Sequence, residues 1–218
     1  MNEQKHTNAM FTLTRITEPH KLEEYHRFRY SVYANSTQRG FLAGPDGFDT
    51  DEFDANALHL GWYEGDTLVG CVRLLSPIKG VHPLHFTKDL LDPEQHGLAL
   101  ALLAEAKAAG QPLREVSRLC LAPEYRSLAS VRRFVLEIIS TAHRCGRDHC
   151  LFTCEDHHVT FWKRMGFATV NGFEGYTCPR NPRPNYLLQG DYHALLPLHR
   201  AELQRIGSRQ MVGVSVAA

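Results

Sequence analysis

One strand-like segment limits what this chain can fold into. Residues 113–122 are rich in apolar, strand-forming side chains, which is typical of a buried strand. The same segment carries Glu115 and Arg118, which are only three residues apart. Because a buried charge is costly unless it is paired or has a function, this segment predicts a polar site built between the strands of a sheet.

Other charged residues extend this prediction. Arg73 lies in a second apolar strand-like run, 68–75, while Arg29 precedes a loop that contains Asp51 and Asp54. Two arginines and two aspartates can form a charged network that supports a substrate pocket, and the planar guanidinium group can bind both oxygens of a carboxylate. Ordinary surface ion pairs, which contribute little to stability, are the alternative.

The spacing of Glu115 and Arg118 raises a geometric question. Residues three apart on a regular strand face opposite sides of the sheet. The two side chains share one site only if a bulge or a splay of the sheet intervenes; otherwise they are edge charges that meet solvent. In a shared site, Glu115 is a candidate general base that removes a proton from an ammonium nucleophile, directly or through water, and Arg118 is a candidate anchoring cation.

Hydrophobic patterning predicts mixed strands and helices without strict alternation, which indicates an α+β fold or a mixed α/β sheet. Strands are predicted at 11–16, 58–62, 68–75, 113–122, 149–153, 167–171, 175–178 and 186–189. Helices are predicted at about 18–34, 97–109, 128–142, 155–164 and 194–206. The long loop between 35 and 56 suggests a functional segment.

Composition excludes several functional classes. The 24 Lys and Arg residues balance 24 Asp and Glu residues, so the chain lacks the basic charge that is usual in nucleic-acid-binding domains. No apolar run approaches the roughly 20 residues that span a membrane, and the polar first residues lack a signal-peptide core. We therefore expect a cytoplasmic protein with one domain over 1–218, in which 1–10 and 207–218 are flexible tails.

Cysteine and histidine usage predicts neither disulfides nor a metal site. The six cysteines have no framework spacing, so reduced thiols are expected. Cys150, Cys154, His157 and His158 lack the paired spacing of a structural zinc site. The histidines are scattered through predicted loops, His85 among them, and we predict no catalytic role for them.

Five short motifs occur in an order that resembles the Gcn5-related N-acyltransferase (GNAT) superfamily. More specifically, the chain resembles the branch of autoinducer synthases, N-acyl amino acid synthases and exosortase-associated acyltransferases. The motifs are Arg29-Tyr-Ser-Val-Tyr33, Asp51-Glu-Phe-Asp54, Gly70-Cys-Val-Arg73-Leu-Leu, Pro83-Leu-His-Phe86 and Glu115-Val-Ser-Arg118. A run of Phe-Trp-Lys-Arg-Met-Gly-Phe after the fifth strand adds to the resemblance, which covers about Tyr25 to Phe167.

The resemblance implies an α/β fold with a mixed, mostly antiparallel sheet and helices on both faces. It also implies transfer of a long-chain fatty acyl group to the amine of an amino acid or a related small molecule. The implied catalytic residues are Glu115, Ser117 and Arg118. The implied substrate-binding residues are Arg29, Tyr33, Asp51, Asp54, Arg73, Phe86, Leu119 and Leu121. Splayed strands near Leu119 and Leu151 are expected to bind the pantetheine arm of the donor.

Departures from the family pattern bear on the donor and the acceptor. GNAT acetyltransferases carry a glycine-rich pyrophosphate loop, whereas residues 124–130 contain no glycine. This difference favours an acyl thioester delivered by acyl carrier protein, with acyl-CoA as the other possible co-substrate and no bound cofactor. A basic patch of Arg126, Arg132 and Arg133 is the candidate docking site for the acidic carrier, and a solvated helix face is its alternative.

Three other functions stay open. Homoserine lactone synthases usually carry a tryptophan where this chain has Gly40-Phe41, which favours an N-acyl amino acid synthase over a lactone synthase that uses S-adenosylmethionine. A CoA-dependent small-acyl acetyltransferase and a non-catalytic acyl- or carrier-binding module are the remaining alternatives.

Overall fold

The computed structural model describes residues 10–36 and 39–214. The strands are β1 (Phe11–Arg15), β2 (Ala57–Glu64), β3 (Thr67–Leu75), β4 (Arg114–Leu121), β5 (His149–Glu155), β6 (Ala168–Cys178) and β7 (Asn181–Asp191). The helices are α1 (Pro19–Ala34), α2 (Pro93–Ala108), α3 (Leu128–Arg144), α4 (Val159–Arg164), α5 (Tyr192–Leu198) and α6 (Arg200–Val214). Short 3-10 turns include those at 39–41, 85–89 and 123–125.

The strands form one seven-stranded sheet in the order β1-β2-β3-β4-β5-β7-β6. Only the β4–β5 pair is parallel; the other neighbours are antiparallel. Consecutive residues of a strand face opposite sides, and on β3 Cys71 packs with the α1 cluster while Val72 packs with the α3 cluster. The predicted α/β class, with helices on both faces of a mostly antiparallel sheet, is confirmed.

Helix α3 covers the centre of one face. Its buried residues Phe134, Val135, Ile138, Ile139 and Ala142 recur at helical spacing and pack into the largest apolar cluster. Ser127 caps the helix, because its hydroxyl accepts a hydrogen bond from the backbone N–H of Ser130 at 3.2 Å. On the opposite face, α1 and α2 pack against two further clusters.

The parallel pair β4–β5 opens into a cleft. The two strands pair only at Arg114–Cys150 and Glu115–Leu151. Beyond these positions the two strands diverge, so the remaining residues of β4 are not paired with residues of β5. The predicted splay is therefore present, but it begins after Leu151, which is itself paired with Glu115.

Two helix predictions are corrected. Helix α2 begins at Pro93 rather than near 97, because the Asp92 side chain accepts a hydrogen bond from Glu94 N and Pro93 suits a first turn. The single terminal helix predicted at 194–206 is two helices, α5 and α6, which are separated at His199, two residues after Pro197.

The last strands and the tails also differ from the prediction. The three short strands expected between 167 and 189 are two long ones, β6 and β7. Register shifts interrupt their pairing, and Gly172 and Gly175 have positive φ values of 83° and 71°, which breaks the alternation that the sequence pattern requires. The predicted tail boundary at 207 falls inside α6, while residues 1–9 and 215–218 lie outside the described chain.

The six cysteines are all free thiols, as predicted. Among the described residues, no helix is both long and apolar enough to cross a membrane.

Candidate active site

A β-bulge in β4 solves the geometric problem of Glu115 and Arg118. Cys71 pairs with Cys120 and Arg73 pairs with Ser117, so a two-residue step on β3 faces a three-residue step on β4. Arg118 takes up the extra residue with a φ of 54°, a left-handed conformation that is rare for a non-glycine residue. Ser117 faces the same side as Glu115 by strand alternation, and the bulge turns the side chain of Arg118 to that side as well, as the contacts below demonstrate.

Three arginines and three aspartates alternate in a closed ring of buried ion pairs, here called the Asp–Arg ring. Around the ring, the members are Arg29, Asp49, Arg118, Asp51, Arg73 and Asp54. The successive N···O distances are 2.8, 3.0, 3.4, 2.6, 3.0 and, closing the ring, 2.7 Å. None of the six side chains is more than 9% exposed, so the alternative of surface ion pairs is wrong.

The ring is electrically neutral, which makes its burial tolerable. Burial by itself would raise the pKa of Asp54, but Arg29 and Arg73 outweigh burial and hold that pKa well below its ordinary value. Arg73 also donates to Ser117 Oγ at 3.1 Å, which fixes the hydroxyl next to the bulge. Asp49, which the sequence interpretation missed, completes the ring between Arg29 and Arg118.

Glu115 lies beside the ring but is not part of it. Its side chain is 3% exposed, and its Oε2 accepts a hydrogen bond from the backbone N–H of Phe86 at 3.1 Å. Within the described residues, no Lys or Arg forms an ion pair with it; the nearest basic group is His85, whose Nδ1 is 3.8 Å from Oε1. Burial raises the pKa of Glu115 to about 7, against the opposing effects of the Phe86 N–H and Arg73.

His85 is a second residue that the sequence interpretation missed. Arg180, in the turn between β6 and β7, donates to His85 Nε2 at 2.9 Å and pairs with Asp89 at 2.5 Å. Burial, followed by the charges of Arg118 and Arg180, lowers the pKa of His85 well below its ordinary value. Because a guanidinium can only donate, His85 Nε2 accepts the hydrogen bond from Arg180, which is the bonding of a neutral imidazole. The motif Pro83-Leu-His-Phe86 contains His85, but the sequence does not reveal the contact with Arg180, which lies 95 residues further along the chain.

Aromatic side chains close the polar side of the site. The Arg118 guanidinium lies over the Tyr33 ring at 5.4 Å and donates to the carbonyl oxygen of Phe41 at 2.9 Å. Arg180 lies over the Phe41 ring at 4.9 Å. A Cβ atom at Gly40 would come within 2.5 Å of the Arg180 carbonyl oxygen, so only glycine permits this close approach of the loop to the β6–β7 turn.

A cavity of about 570 Å³ passes through the sheet where β4 and β5 diverge. On the α1 side, its wall is polar and includes Tyr33, His85, Glu115 and Arg118. On the α3 side, its wall is apolar. The apolar wall includes Val135, Ile138, Ile139, Phe152, Trp162 and Phe167. Part of the Phe161–Phe167 segment, which contributed to the family resemblance, thus faces the cavity.

The predicted site residues fall into three groups. Ser117, Leu119 and Leu121 line the cavity together with Tyr33, Glu115 and Arg118. Arg29, Asp51, Asp54 and Arg73 belong to the Asp–Arg ring, behind the polar wall. Phe86 differs from the prediction: its ring is packed in the apolar cluster under α2, and only its backbone N–H reaches Glu115.

The predicted docking patch is not a set of free cations. Arg132 pairs with Glu202 at 2.8 Å, and Arg133 pairs with Glu137 at 2.9 Å. Their charges are therefore largely compensated within the fold. Arg126 differs from them: it is exposed and lies at the edge of the cavity. Among the residues that the structure describes, it donates only to the backbone carbonyl of Leu121, at 3.0 Å.

Comparison with known families agrees with this architecture. Residues 28–135 match the family described as acetyltransferase (GNAT) domain. This range includes the second half of α1 from Phe28, the whole Asp–Arg ring and the start of α3. The chain contains a GNAT acetyltransferase domain. A search of curated protein sequences finds no significant match.

Several solved structures share the fold. FeeM, an N-acyl amino acid synthase from uncultured soil microbes, is 16% identical and covers 86% of this chain and 95% of its own, with a TM-score of 0.57. BjaI, a CoA-dependent acyl-homoserine lactone synthase with SAM and isopentyl-CoA, is 21% identical, covering 91% of this chain and 90% of its own, with a TM-score of 0.61. The AHL synthase LasI is 14% identical, covering 84% and 91%, with a TM-score of 0.61.

Proposed function

We propose that this GNAT protein transfers a long-chain fatty acyl group from acyl carrier protein, or from acyl-CoA, to the amine of an amino acid or a related small molecule. The observation that carries the proposal is the position of Glu115. It is a buried carboxylate without a Lys or Arg partner among the described residues, and it lies at the junction between the polar and the apolar walls of one cavity.

The two walls suit the two substrates of such a reaction. An acyl chain gains about 0.8 kcal/mol for each methylene that leaves water, and the α3 side offers a wall of aliphatic and aromatic side chains. An amine acceptor arrives as a cation, for which the uncompensated carboxylate on the α1 side is the complementary group. The thioester then lies in the cleft between β4 and β5, next to backbone groups that have no partner across the cleft.

Transfer requires that the ammonium group of the acceptor first loses a proton. Glu115, with a pKa of about 7, is partly ionised near neutral pH and can accept this proton directly or through water. The free amine attacks the thioester carbonyl carbon, so that a C–N bond forms. The C–S bond then breaks, and the leaving thiolate takes up the second proton of the attacking nitrogen.

Ser117 and Arg118 position the acceptor in this proposal. The Ser117 hydroxyl is fixed by Arg73, and Arg118 is fixed by Asp49, Asp51 and the Phe41 carbonyl. Both residues line the cavity. A site that is held this rigidly places an acceptor without reorganisation during the reaction.

The absence of glycine from residues 124–130 supports acyl carrier protein as the donor. A pyrophosphate group needs a close approach to backbone N–H groups, which glycine makes possible. The phosphopantetheine arm of a carrier protein has one phosphate and no adenosine. Arg126, which lies at the edge of the cavity, is the best-placed residue of the proposed docking set, and Arg132 and Arg133 are its secondary members.

A lactone synthase is the second candidate. Acyl-homoserine lactone synthases, BjaI and LasI, are among the solved structures that share the fold. Mass spectrometry of lipids from cells that express the chain separates the two functions, because a lactone synthase releases an acyl-homoserine lactone and an N-acyl amino acid synthase retains the carboxylate of its acceptor.

Glu115→Gln is the direct test of the mechanism. Glutamine keeps an oxygen for the Phe86 N–H but cannot accept the ammonium proton. We expect kcat to fall by at least about a hundredfold near pH 7, while the circular dichroism spectrum stays unchanged. Near wild-type turnover of this variant with the same donor and acceptor would exclude Glu115 as the base.

Stability provides a control for the same variant. The folded-state pKa of Glu115, about 7, lies above the unfolded value of about 4.3. Its contribution to stability is therefore complete below the unfolded pKa and is lost as the pH rises through about 7. Above pH 7, Glu115→Gln should accordingly be more stable than the wild type, by on the order of 3 kcal/mol.

A further inference from the structure

A second cluster of ligating side chains lies outside the active-site cavity. It consists of His143 in the last turn of α3, Asp148 just before β5, and His193 in the first turn of α5. His143 Nδ1 lies 2.5 Å from one carboxylate oxygen of Asp148, and His193 Nε2 lies 3.3 Å from the other. One ligating atom from each of the three residues fits within 4.8 Å of the other two.

The backbone holds these three residues in place. The carbonyl oxygen of Asp148 accepts a hydrogen bond from the backbone N–H of Tyr192 at 2.9 Å, which joins the start of β5 to α5. Asp191 caps α5 by accepting from the backbone N–H of His193 at 2.9 Å. The arrangement of the cluster is thus determined by the fold rather than by the side chains alone.

We infer that His143, Asp148 and His193 bind a divalent transition metal of the zinc type. Two imidazole nitrogens and one carboxylate oxygen form a ligand set that suits Zn²⁺, at metal–ligand distances of about 2.0–2.2 Å. Neighbouring ligands of a tetrahedral ion at these distances are about 3.3 Å apart, so the 2.5 Å contact between His143 and Asp148 must lengthen by roughly 0.8 Å when the ion binds. A fourth position is left for water or another ligand.

The metal would join the two helices that flank the apolar wall of the cavity. Ile138 and Ile139 in α3 line this wall little more than one turn before His143, and Tyr192, next to His193, lines it from α5. Because the metal binds the folded state, whose elements bring the three ligands together, it stabilises the fold by mass action. The inference is independent of the acyl-transfer proposal, since none of its ligands lines the cavity.

Isothermal titration of chelator-treated protein with ZnCl₂ tests this inference. We expect one equivalent of Zn²⁺ to bind the wild type and to raise its melting temperature. The exposed His193 can be changed to Gln with little risk to folding. Loss of a hydrogen-bond partner behind a metal ligand typically lowers metal affinity by roughly 10–100-fold. Loss of a ligand itself should cost at least as much, so we expect His193→Gln, and the double variant with His143→Gln, to lower the Zn²⁺ affinity by at least this factor.

The matched control is His149→Gln. His149 is adjacent to Asp148 and faces a different carboxylate, Asp191, at 3.9 Å, so this variant should bind Zn²⁺ as the wild type does. Tetrahedral Co²⁺ absorption, present in the wild type and the control but lost in the double variant, would support the same ligands. Equal Zn²⁺ affinity of the wild type and the double variant, or no binding to the wild type, would overturn the inference.

Discussion

On the α1 side of the sheet, the cavity is backed by buried charges that contact one another, whereas on the α3 side its wall consists of apolar side chains that only fill space. The six members of the Asp–Arg ring each have two ionic partners. Ile138, Phe152 and Phe167 on the other side have only packing neighbours. One half of the cavity is therefore rigid and holds polar groups in fixed directions, whereas the other half discriminates between ligands only by the volume that it leaves open.

This difference predicts how substitutions in each half of the cavity should affect stability and activity. In the polar half, removal of one charged group leaves its partners buried and unpaired. The free energy of unfolding should therefore fall, whatever the effect of the variant on catalysis. In the apolar half, a change in side-chain volume costs less and alters which acyl chain fits. The predictions below test this division, in order of decreasing expected effect.

Arg73→Met should cause the largest loss of stability. The variant leaves three aspartates facing two arginines, and an unpaired buried charge costs about 3–5 kcal/mol. Urea unfolding measures this loss. Adding Asp54→Leu restores two of each charge and should recover a substantial part of the stability, without restoring activity.

A surface ion pair supplies the matched control. Arg27 and Glu23 are as close as the ring members, at 2.8 Å, but their side chains are 62% and 55% exposed. Arg27→Met should cost less than about 1 kcal/mol. Equal losses for the variants at Arg27 and Arg73 would contradict the distinction between the ring and the surface.

Ile138→Phe tests the apolar half. For the wild type, kcat/KM should rise about fourfold with each added methylene of the donor until the cavity is full, which follows from about 0.8 kcal/mol per buried methylene. The larger ring at position 138 should end this rise at a shorter chain, while short donors react as before.

Val131→Phe is the comparison variant, because residue 131 lies about 10 Å nearer the start of α3 and also lines the cavity. It should reduce the rate for all chain lengths. The same chain-length profile for wild type and Ile138→Phe would mean that the acyl chain does not lie along α3. Overpacking can cost 1–3 kcal/mol, so melting temperatures should accompany the rates.

Asp89→Asn tests how the polar half adjusts Glu115. The negative charge of Asp89 raises the pKa of Glu115, and Asp89 also neutralises Arg180. Loss of the Asp89 charge should therefore lower the pKa of Glu115 in two ways: it removes a nearby negative charge, and it leaves the positive charge of Arg180 uncompensated. The acidic limb of the pH–kcat profile should move to lower pH by up to about one unit.

Arg180→Gln removes the opposite charge from the same pair and should move this limb to higher pH. If the limb is unchanged in both variants, the titrating group seen in the rate profile is not Glu115. Residual activity of Glu115→Gln, if measurable, should lack the limb altogether.

Arg126→Glu should have the smallest effect, because surface charges act mainly on the encounter rate. Transfer from acyl carrier protein should slow several-fold at low salt, and added salt should narrow the difference from wild type. Arg132→Glu with Arg133→Glu should also lose stability, since each arginine pairs with a glutamate. Equal slowing of Arg126→Glu with carrier-bound and carrier-free thioesters would argue against docking at this edge.

The sequence alone determined the fold class and most of the site. Apolar periodicity placed β2, β3, β4 and α3, because alternation and helical spacing are local properties of the chain. Charged residues inside apolar strands pointed to Glu115, Arg118 and Arg73, because burial of an unused charge is too costly to occur by chance.

The tertiary structure decided which of these residues meet and in what state. Strand alternation opposes a shared face for Glu115 and Arg118, and only the pairing of β3 with β4 introduces the bulge that provides it. The raised pKa of Glu115 depends on burial and on the charge of Asp89. The lowered pKa of His85 depends on burial and on Arg118 and Arg180, and Arg180 lies 95 positions beyond His85 in the sequence. Local patterns carry no information about such long-range contacts, because these form only when the sheet is complete.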